Sequence, residues 1–110
     1  MSEFFPSFIR NLPRPDSPVS MDARIVPSEH VLTMFYDTDH DVEVPEHHHG
    51  AQWGVVLKGE MELIIDGASR IYRTGDCYFV PDGAKHIAKM KAGYKGVDVF
   101  ADAKRYMPKA

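Results

Sequence analysis

The sequence predicts an all-β fold, either a sandwich or a barrel of short strands, and three observations support this prediction. From residue 30 onward, short segments rich in Val, Ile, Tyr and Phe alternate with turn signals, a pattern typical of strands joined by tight turns. No convincing helical pattern lies among these segments. The chain has 110 residues, the length of one domain, and many short, closely spaced strands in one domain are typical of sandwiches and barrels.

Eight strands are expected in this part of the chain. The turns between them are marked by glycine or proline, at Lys58-Gly59, Asp66-Gly67, Thr74-Gly75, Pro81-Asp82-Gly83 and Ala92-Gly93. The strands are expected at 31–37, 42–44, 52–57, 61–66, 70–73, 78–80, 84–91 and 95–101. Alternation of polar and apolar residues is clearest at 60–63, which indicates a strand with one buried face.

The first 29 residues have a different composition, because five of the eight prolines of the chain fall there. This proline content excludes a long helix and a central strand. One short helical turn is expected between Phe5 and Leu12, where apolar residues recur at helical spacing. We therefore predict an arm at 1–29 that covers the core or a partner subunit, and a single barrel domain at 30–110. A separate functional segment at 1–29 is the alternative.

The composition is that of an ordinary soluble globular domain, with 44% hydrophobic and 26% charged residues. The formal net charge of −3 gives no basic footprint for nucleic acid or an anionic membrane. The longest apolar runs are far too short to span a bilayer. A single cysteine, Cys77, excludes an internal disulfide. The start MSEFFPSFIR does not resemble a secretory signal, so a cytoplasmic location is expected.

Three of the six histidines are contiguous, at His47, His48 and His49. On a strand alternate side chains share a face, so His47 and His49 could chelate one ion while His48 points away. The next potential ligand, Gln52, is at an odd spacing from His49. It could join the pair only if the strand breaks at Gly50, where glycine permits a bulge or a sharp bend.

A further ligand could come from His86, which follows the turn Pro81-Asp82-Gly83. A histidine directly after a tight turn has a reproducible position, as a chelate requires. The isolated histidines His30 and His40 are expected to be ordinary surface or turn residues.

These residues resemble the two sequence motifs of the cupin superfamily, and in particular those of small single-domain, metal-binding cupins. The first motif, G-x5-H-x-H-x(3,4)-E-x6-G, corresponds to HHHGAQWGVVLKG, and its matching residues are His47, His49, Gln52 and Gly59. The second, G-x5-P-x-G-x2-H-x3-N, is matched in full register by Gly75, Pro81, Gly83 and His86. The resemblance covers about residues 30 to 101.

The first motif departs from the pattern in several places. Its upstream glycine is replaced by Asp41, its acid by Gln52, and the gap after His49 is one or two residues short. An alternative register uses His48 and puts Glu46 in the place of the first histidine. The register with His47 and His49 is preferred because it keeps both imidazoles. The last residue of the second motif is Met90 instead of asparagine.

The resemblance implies a cupin jelly-roll β-barrel that holds one divalent transition metal ion. The implied ligands are His47, His49, Gln52 and His86. All four are neutral, so the ion would keep its full charge, and nitrogen ligands favour zinc, nickel, iron, cobalt or copper, with manganese also admitted. Open positions on such an ion suit a bidentate hydroxy- or keto-acid, or water. The resemblance also implies a homodimer.

Asp98 is the candidate catalytic residue. It alternates with its neighbours on the last expected strand, so it is an interior carboxylate if Tyr94 and Phe100 also face inward. Burial would raise its pKa and suit a general acid or base, whereas a structural or exposed acid is the alternative. Some small cupins that open unsaturated uronates carry an acid in a similar Asp-Val-Phe context.

Three other residues have two interpretations each. Arg105 and Tyr106 could bind a substrate carboxylate or belong to a solvated tail. Trp53 faces away from Gln52 and is expected in a packing contact or at a dimer interface, with stacking on a substrate as the alternative. The function expected is that of a metal-dependent isomerase or lyase acting on a small sugar acid or keto acid. The alternatives are an iron-dependent dioxygenase and a non-catalytic ligand-binding or sensor module.

Overall fold

A computed structural model describes residues 1–17 and 20–109 and folds them into two antiparallel sheets. Within these residues there are one short helix, α1 (Ser7–Arg10), and nine strands. The strands are β1 (Asp22–Pro27), β2 (Leu32–Asp37), β3 (Val42–His47), β4 (Gln52–Lys58), β5 (Glu60–Ile65), β6 (Ala68–Arg73), β7 (Cys77–Val80), β8 (His86–Met90) and β9 (Lys95–Phe100).

The two sheets pack as a jelly-roll-like sandwich. The five-stranded sheet has the order β1-β2-β9-β4-β7, and the four-stranded sheet has the order β3-β8-β5-β6. Most neighbours in a sheet are distant in sequence, as in the pairing of β2 with β9 and of β3 with β8. Residues that are distant in sequence are therefore needed to build either face of the interior.

The all-β fold class is confirmed, and each of the eight expected strands is present with bounds that differ by at most three residues. The short helical turn expected near the N-terminus corresponds to α1. No strand is expected before residue 30 from the sequence, yet β1 forms there. Proline is compatible with β1 because this strand lies at the edge of the sheet, pairs only with β2 and ends at Pro27.

The segment before β1 protects the free edge of that strand, since the backbone N–H of Ile25 donates to the Pro13 carbonyl at 2.8 Å. An exposed strand edge is a template for unwanted pairing, and this contact blocks part of it. The division into an arm at 1–29 and a barrel domain at 30–110 stays a prediction; positions 18, 19 and 110 lie outside the described residues.

The core lies between the inward faces of the two sheets. Its fully buried side chains include aliphatic, thioether and aromatic groups, namely Ile25, Leu32, Val56, Met61, Val80 and Tyr94. Polar groups enter this core on β8 and β9, where His86 and Asp98 are buried. Burying such groups without partners is costly, so their surroundings decide what the interior can do.

The first dozen residues lie on the outer face of the five-stranded sheet. Phe5 is only 2% exposed and contacts the ring of Phe35 edge-on, with centroids 6.1 Å apart. Arg24 on β1 donates through Nε to the carbonyl of Arg10 at 2.7 Å, and Arg10 donates through Nε to the carbonyl of Phe5 at 2.9 Å. The guanidinium group of Arg24 and the ring of Phe5 thus fix the helical turn to the sheet, and Arg10 holds the turn to Phe5.

No helix among the described residues is long and apolar enough to cross a membrane. The cytoplasmic location expected from the sequence stays a prediction.

Replacement of Phe5 by alanine should destabilise the protein by about 3 kcal/mol, because a buried aromatic ring leaves a cavity when it is truncated. The matched control is Phe8→Ala on the same segment, where the ring is 74% exposed and its loss should cost less than about 0.5 kcal/mol. Urea unfolding of both variants measures the difference. Equal losses of stability for the two variants would contradict the packing of the first dozen residues on the sheet.

Candidate metal centre

Three histidines meet inside the sandwich at the junction of β3, β8 and the loop that leads to β4. His47, the last residue of β3, pairs in register with His86, the first residue of β8. His49 follows in the loop. The three ring centroids lie 4.1 to 5.2 Å apart, and one nitrogen from each ring lies within 4.8 Å of the others. This spacing positions three imidazoles to bind one metal ion.

The backbone determines which nitrogen of each ring faces the centre. The Nδ1 atoms of His47, His49 and His86 lie 2.8, 2.7 and 2.9 Å from the carbonyls of Pro45, Gly50 and Ala84. A carbonyl can only accept a hydrogen bond, so each Nδ1 carries the proton and donates it. Every Nε2 is then left with a free lone pair, the form that binds a metal.

Two of these lone pairs have no partner within residues 1–17 and 20–109. Nε2 of His49 and Nε2 of His86 are buried and make no hydrogen bond among the described residues, a state that costs about 1–3 kcal/mol for each group. Burial also lowers the pKa of His47 and lowers that of His49 to about 4, so both rings are neutral at pH 7. Neutral, convergent and unsatisfied imidazoles fit a borderline transition metal ion.

Gln52 begins β4 and contacts the same cavity. The break expected between His49 and Gln52 is present, because residues 48–51 are not in a strand. Gly50 lies in this break, and its N–H donates to Oδ2 of Asp102 at 2.7 Å. The amide of Gln52 donates through Nε2 to Oδ2 of Asp98 at 3.0 Å. Its role as a fourth metal ligand stays a prediction.

Asp98 is an interior carboxylate, 4% exposed, on the inward face of β9. The hydroxyl of Tyr78 donates to its Oδ1, and the amide of Gln52 donates to its Oδ2. The hydroxyl of Tyr78 is also 3.2 Å from that of Tyr36. Burial raises the pKa of Asp98 to about 6, although these hydrogen bonds oppose the rise.

Two glycines make room for this acid and its phenols. Gly54 on β4 lies opposite Asp98 on β9, and a Cβ at Gly54 would overlap both the carboxylate and the ring of Tyr78. A Cβ at Gly96 would come within 3.0 Å of the hydroxyl of Tyr36. Glycine weakens a strand interior, but at these two positions its missing side chain leaves space for a buried polar network.

Arg105 lies at the cavity beside the histidines. Its guanidinium carbon is 4.8 Å from the ring centroid of Tyr106 and 5.5 Å from that of Phe100. Its Nε is buried without a hydrogen-bond partner among the described residues. Arg105 therefore places a cation near the neutral imidazoles, and its charge contributes to the lowered pKa values of His47 and His49.

The cavity has a volume of about 50 Å³, room for a few water molecules. Its walls combine the histidines, Gln52, Asp98 and Arg105 with apolar and phenolic side chains, namely Met21, Met34, Tyr36, Val44, Met61, Leu63, Tyr78, Ala88, Met90, Phe100 and Tyr106. A few polar groups thus share one cavity with an apolar wall, as in a small-molecule site.

The residues of the alternative motif register point elsewhere. His48 and Glu46 are exposed, and neither belongs to the group of three histidines found among the described residues. His30 is exposed beside Glu29, and His40 contacts the exposed Asp39. Tyr78, Tyr36 and Gly54 are neighbours of Asp98 that the sequence does not identify. The pairing of β4 with β7 and β9 brings Gly54 and Tyr78 to Asp98, and the pairing of β2 with β9 brings Tyr36 there.

The fold and the cluster define a jelly-roll-like sandwich protein whose three interior histidines are positioned to bind a metal ion. A family model described as "Cupin domain" matches residues 33–92, more than half of the chain, and the chain belongs to this family. No curated protein matches the chain.

Solved structures show the same fold. An RmlC-like cupin from Shewanella frigidimarina is 22% identical over 92% of this chain and 90% of that one, with a TM-score of 0.77. KdgF from Halomonas sp. is 20% identical over 86% and 84%, with a TM-score of 0.69. The Schizosaccharomyces pombe Cnp3 cupin domain is 13% identical over 81% and 72%, with a TM-score of 0.64. At these identities the likeness concerns the fold alone.

Replacement of His86 by alanine should weaken binding of a divalent transition metal by at least about 100-fold. Loss of a partner that merely orients a ligand already costs 10–100-fold, and this change removes the ligand itself. Titration of the metal-free protein with Co²⁺, followed by its absorption spectrum, measures the affinity. His48→Ala, in the exposed histidine of the same run, is the control and should bind as the unaltered protein does; an equal loss there would contradict the assignment.

Replacement of Gln52 by glutamate should destabilise the metal-free protein at pH 8 by about 2 kcal/mol, because a buried carboxylate would lose a donor and meet a like charge. In a background of Asp98→Asn the same change should cost much less, since an amide at position 98 can donate to the new acid. Urea unfolding of the four proteins gives the coupling energy. Equal losses in both backgrounds would show that the contact between Gln52 and Asp98 is unimportant.

Proposed function

We propose that this protein is a metal-dependent enzyme of isomerase or lyase type that acts on a small carboxylate rich in oxygen, such as a sugar acid or keto acid. The observation that carries the proposal is the buried carboxylate of Asp98, which lines the same cavity as His47, His49 and His86. A buried acid that shares a cavity with several imidazoles is typical of a functional site.

The metal centre supplies the electrophile in this proposal. An ion held by His47, His49, His86 and Gln52 would act as a Lewis acid on a substrate carbonyl or hydroxyl oxygen and would favour loss of a proton from the adjacent carbon. The protein then has to position the substrate, remove that proton and return it elsewhere.

Asp98 is the proposed proton carrier. Tyr78 and Gln52 each donate to one of its oxygens, which fixes the orientation of the carboxylate and leaves further lone pairs for a substrate proton. Burial raises its pKa to about 6. A base with a pKa near the working pH can both accept and return a proton, the property that efficient general acid–base catalysis requires.

Arg105 is the proposed anchor for the substrate carboxylate. Aromatic rings of Phe100 and Tyr106 support its guanidinium group, and Nε is buried with no hydrogen-bond partner in the described part of the chain. A guanidinium group binds a carboxylate through two parallel hydrogen bonds. A substrate that bridges Arg105 and the metal centre would be held at two points, which fixes the carbon that loses a proton with respect to Asp98.

Proton exchange with solvent tests the proposal. The metal-loaded protein is incubated in D₂O with a panel of keto acids, hydroxy acids and unsaturated sugar acids, and NMR detects deuterium at the carbon next to a carbonyl and any isomerised product. Asp98→Asn should lower the rate by about 10²–10⁴-fold at unchanged metal content. The control is Asp82→Asn, in an exposed turn, which should leave the rate unchanged.

The same assay separates the alternative functions. Turnover that requires oxygen would contradict the proposal and indicate a dioxygenase. Binding of an acid without exchange or product would indicate a ligand-binding module. Full activity of Asp98→Asn would remove this carboxylate from the mechanism.

A further inference from the structure

Asp102 follows β9 and accepts a hydrogen bond from the loop that carries His49. Its Oδ2 lies 2.7 Å from the backbone nitrogen of Gly50, which donates its N–H. The carbonyl of the same Gly50 accepts the Nδ1–H of His49 at 2.7 Å. A side chain remote in sequence therefore holds the residue whose carbonyl orients one imidazole of the candidate metal centre.

The carboxylate of Asp102 also occupies the space that a side chain at position 50 would need. A Cβ built on Gly50 would overlap Oδ1 and Cγ of Asp102. Gly50 does not have a positive φ, so its backbone conformation does not itself call for glycine. Close contact with the carboxylate is therefore the feature of the structure that requires glycine at this position.

The backbone at Gly50 has to be restrained by groups outside the loop, because glycine has more conformational freedom than any other residue. The peptide group between His49 and Gly50 is held at both of its ends. The N–H of Gly83 donates to the carbonyl of His49 at 2.9 Å, and Asp102 accepts the N–H of Gly50. Loss of the carboxylate would leave this peptide group held at one end only.

The segment that carries Asp102 is itself tied to the rest of the fold. On one side of Asp102, the N–H of Ala101 donates to the carbonyl of Ala51 at 2.8 Å. On the other side, the N–H of Met107 donates to Oδ1 of Asp16 at 2.9 Å, and the N–H of Asp16 donates to the carbonyl of Met107 at 2.9 Å. A group can position another only if its own place is fixed, and these bonds fix the place of Asp102.

We propose that Asp102 is a positioning residue of the metal centre. It holds Gly50 so that the Gly50 carbonyl keeps the proton of His49 on Nδ1 and leaves Nε2 free for the ion. Asp102 is not among the described residues that line the cavity, so it acts through the backbone and not on the ion. This inference rests on the metal centre of the proposed function and is independent of the reaction proposed there.

A purely structural role is the alternative, and the chain offers a close match for it. Asp41 is also exposed and accepts the N–H of Ala92 at 2.8 Å across 51 residues of sequence, as Asp102 accepts that of Gly50 across 52. Asp41 does not line the histidine cavity. Removal of either carboxylate deletes the same kind of bond, but only removal of Asp102 should affect the metal centre.

Titration of the metal-free protein with Co²⁺ tests the proposal. Asp102→Ala should weaken Co²⁺ binding by about 10-fold, the lower end of the range for partners that orient a ligand, because Gly83 still holds the peptide group. Asp102→Asn keeps an acceptor oxygen and should recover most of the affinity. Asp41→Ala should lower the midpoint of thermal unfolding as Asp102→Ala does and leave Co²⁺ affinity unchanged. Unchanged affinity in Asp102→Ala, or an equal loss in Asp41→Ala, would overturn the proposal.

Nitrogen NMR of the histidine rings gives a second readout that needs no metal. In the unaltered protein His49 should carry its proton on Nδ1, whereas in Asp102→Ala the form with the proton on Nε2 should appear beside it. His47 and His86 should keep their protons on Nδ1 in both proteins. An unchanged tautomer of His49 in Asp102→Ala would overturn the proposal. Failure of the unaltered protein to bind Co²⁺ would instead contradict the metal centre, and the tautomer of His49 would still decide the role of Asp102.

Discussion

The hydrogen bonds between three histidine Nδ1 atoms and three backbone carbonyls are the constraint on which the site depends. They fix the tautomer of each ring and direct each Nε2 toward one point. The register of β3 with β8 brings His47 opposite His86, and the loop after β3 returns His49 to the same cavity. Two of the buried Nε2 atoms have no partner among the residues that the structure describes, and this lack of hydrogen bonds costs free energy. Metal binding would offset that cost.

The second constraint is the hollow around Asp98. A carboxylate at this depth is tolerated because Tyr78 and Gln52 donate to both of its oxygens. The carboxylate and the ring of Tyr78 fit only because Gly54 has no side chain. The replacement of the motif acid by Gln52 thus has a local reason. An amide can donate to a neighbouring carboxylate, whereas a second acid at position 52 would repel it. The single negative charge of the cavity lies on β9 instead of β4.

The sequence predicts much of this structure because its signals are local. Glycine and proline mark the turns, and the motif spacing alone identifies His47, His49 and His86. β1 is missed because an edge strand among prolines has no local signature. The phenols around Asp98 are missed for another reason: Tyr78 reaches Asp98 through the pairing of β4 with β7 and β9, and no spacing along the chain encodes that adjacency. The cation of Arg105 is likewise placed by tertiary packing.

The arrangement of the three imidazoles is tested most directly by X-ray absorption spectroscopy of the protein loaded with one equivalent of nickel or zinc. The spectrum should require three imidazole nitrogens on the ion, and the remaining ligands should be oxygen or other light atoms. In His86→Ala the number of imidazole rings on the ion should fall from three to two. A spectrum with one imidazole or none, or with sulfur from Cys77, would show that these histidines do not bind the ion together.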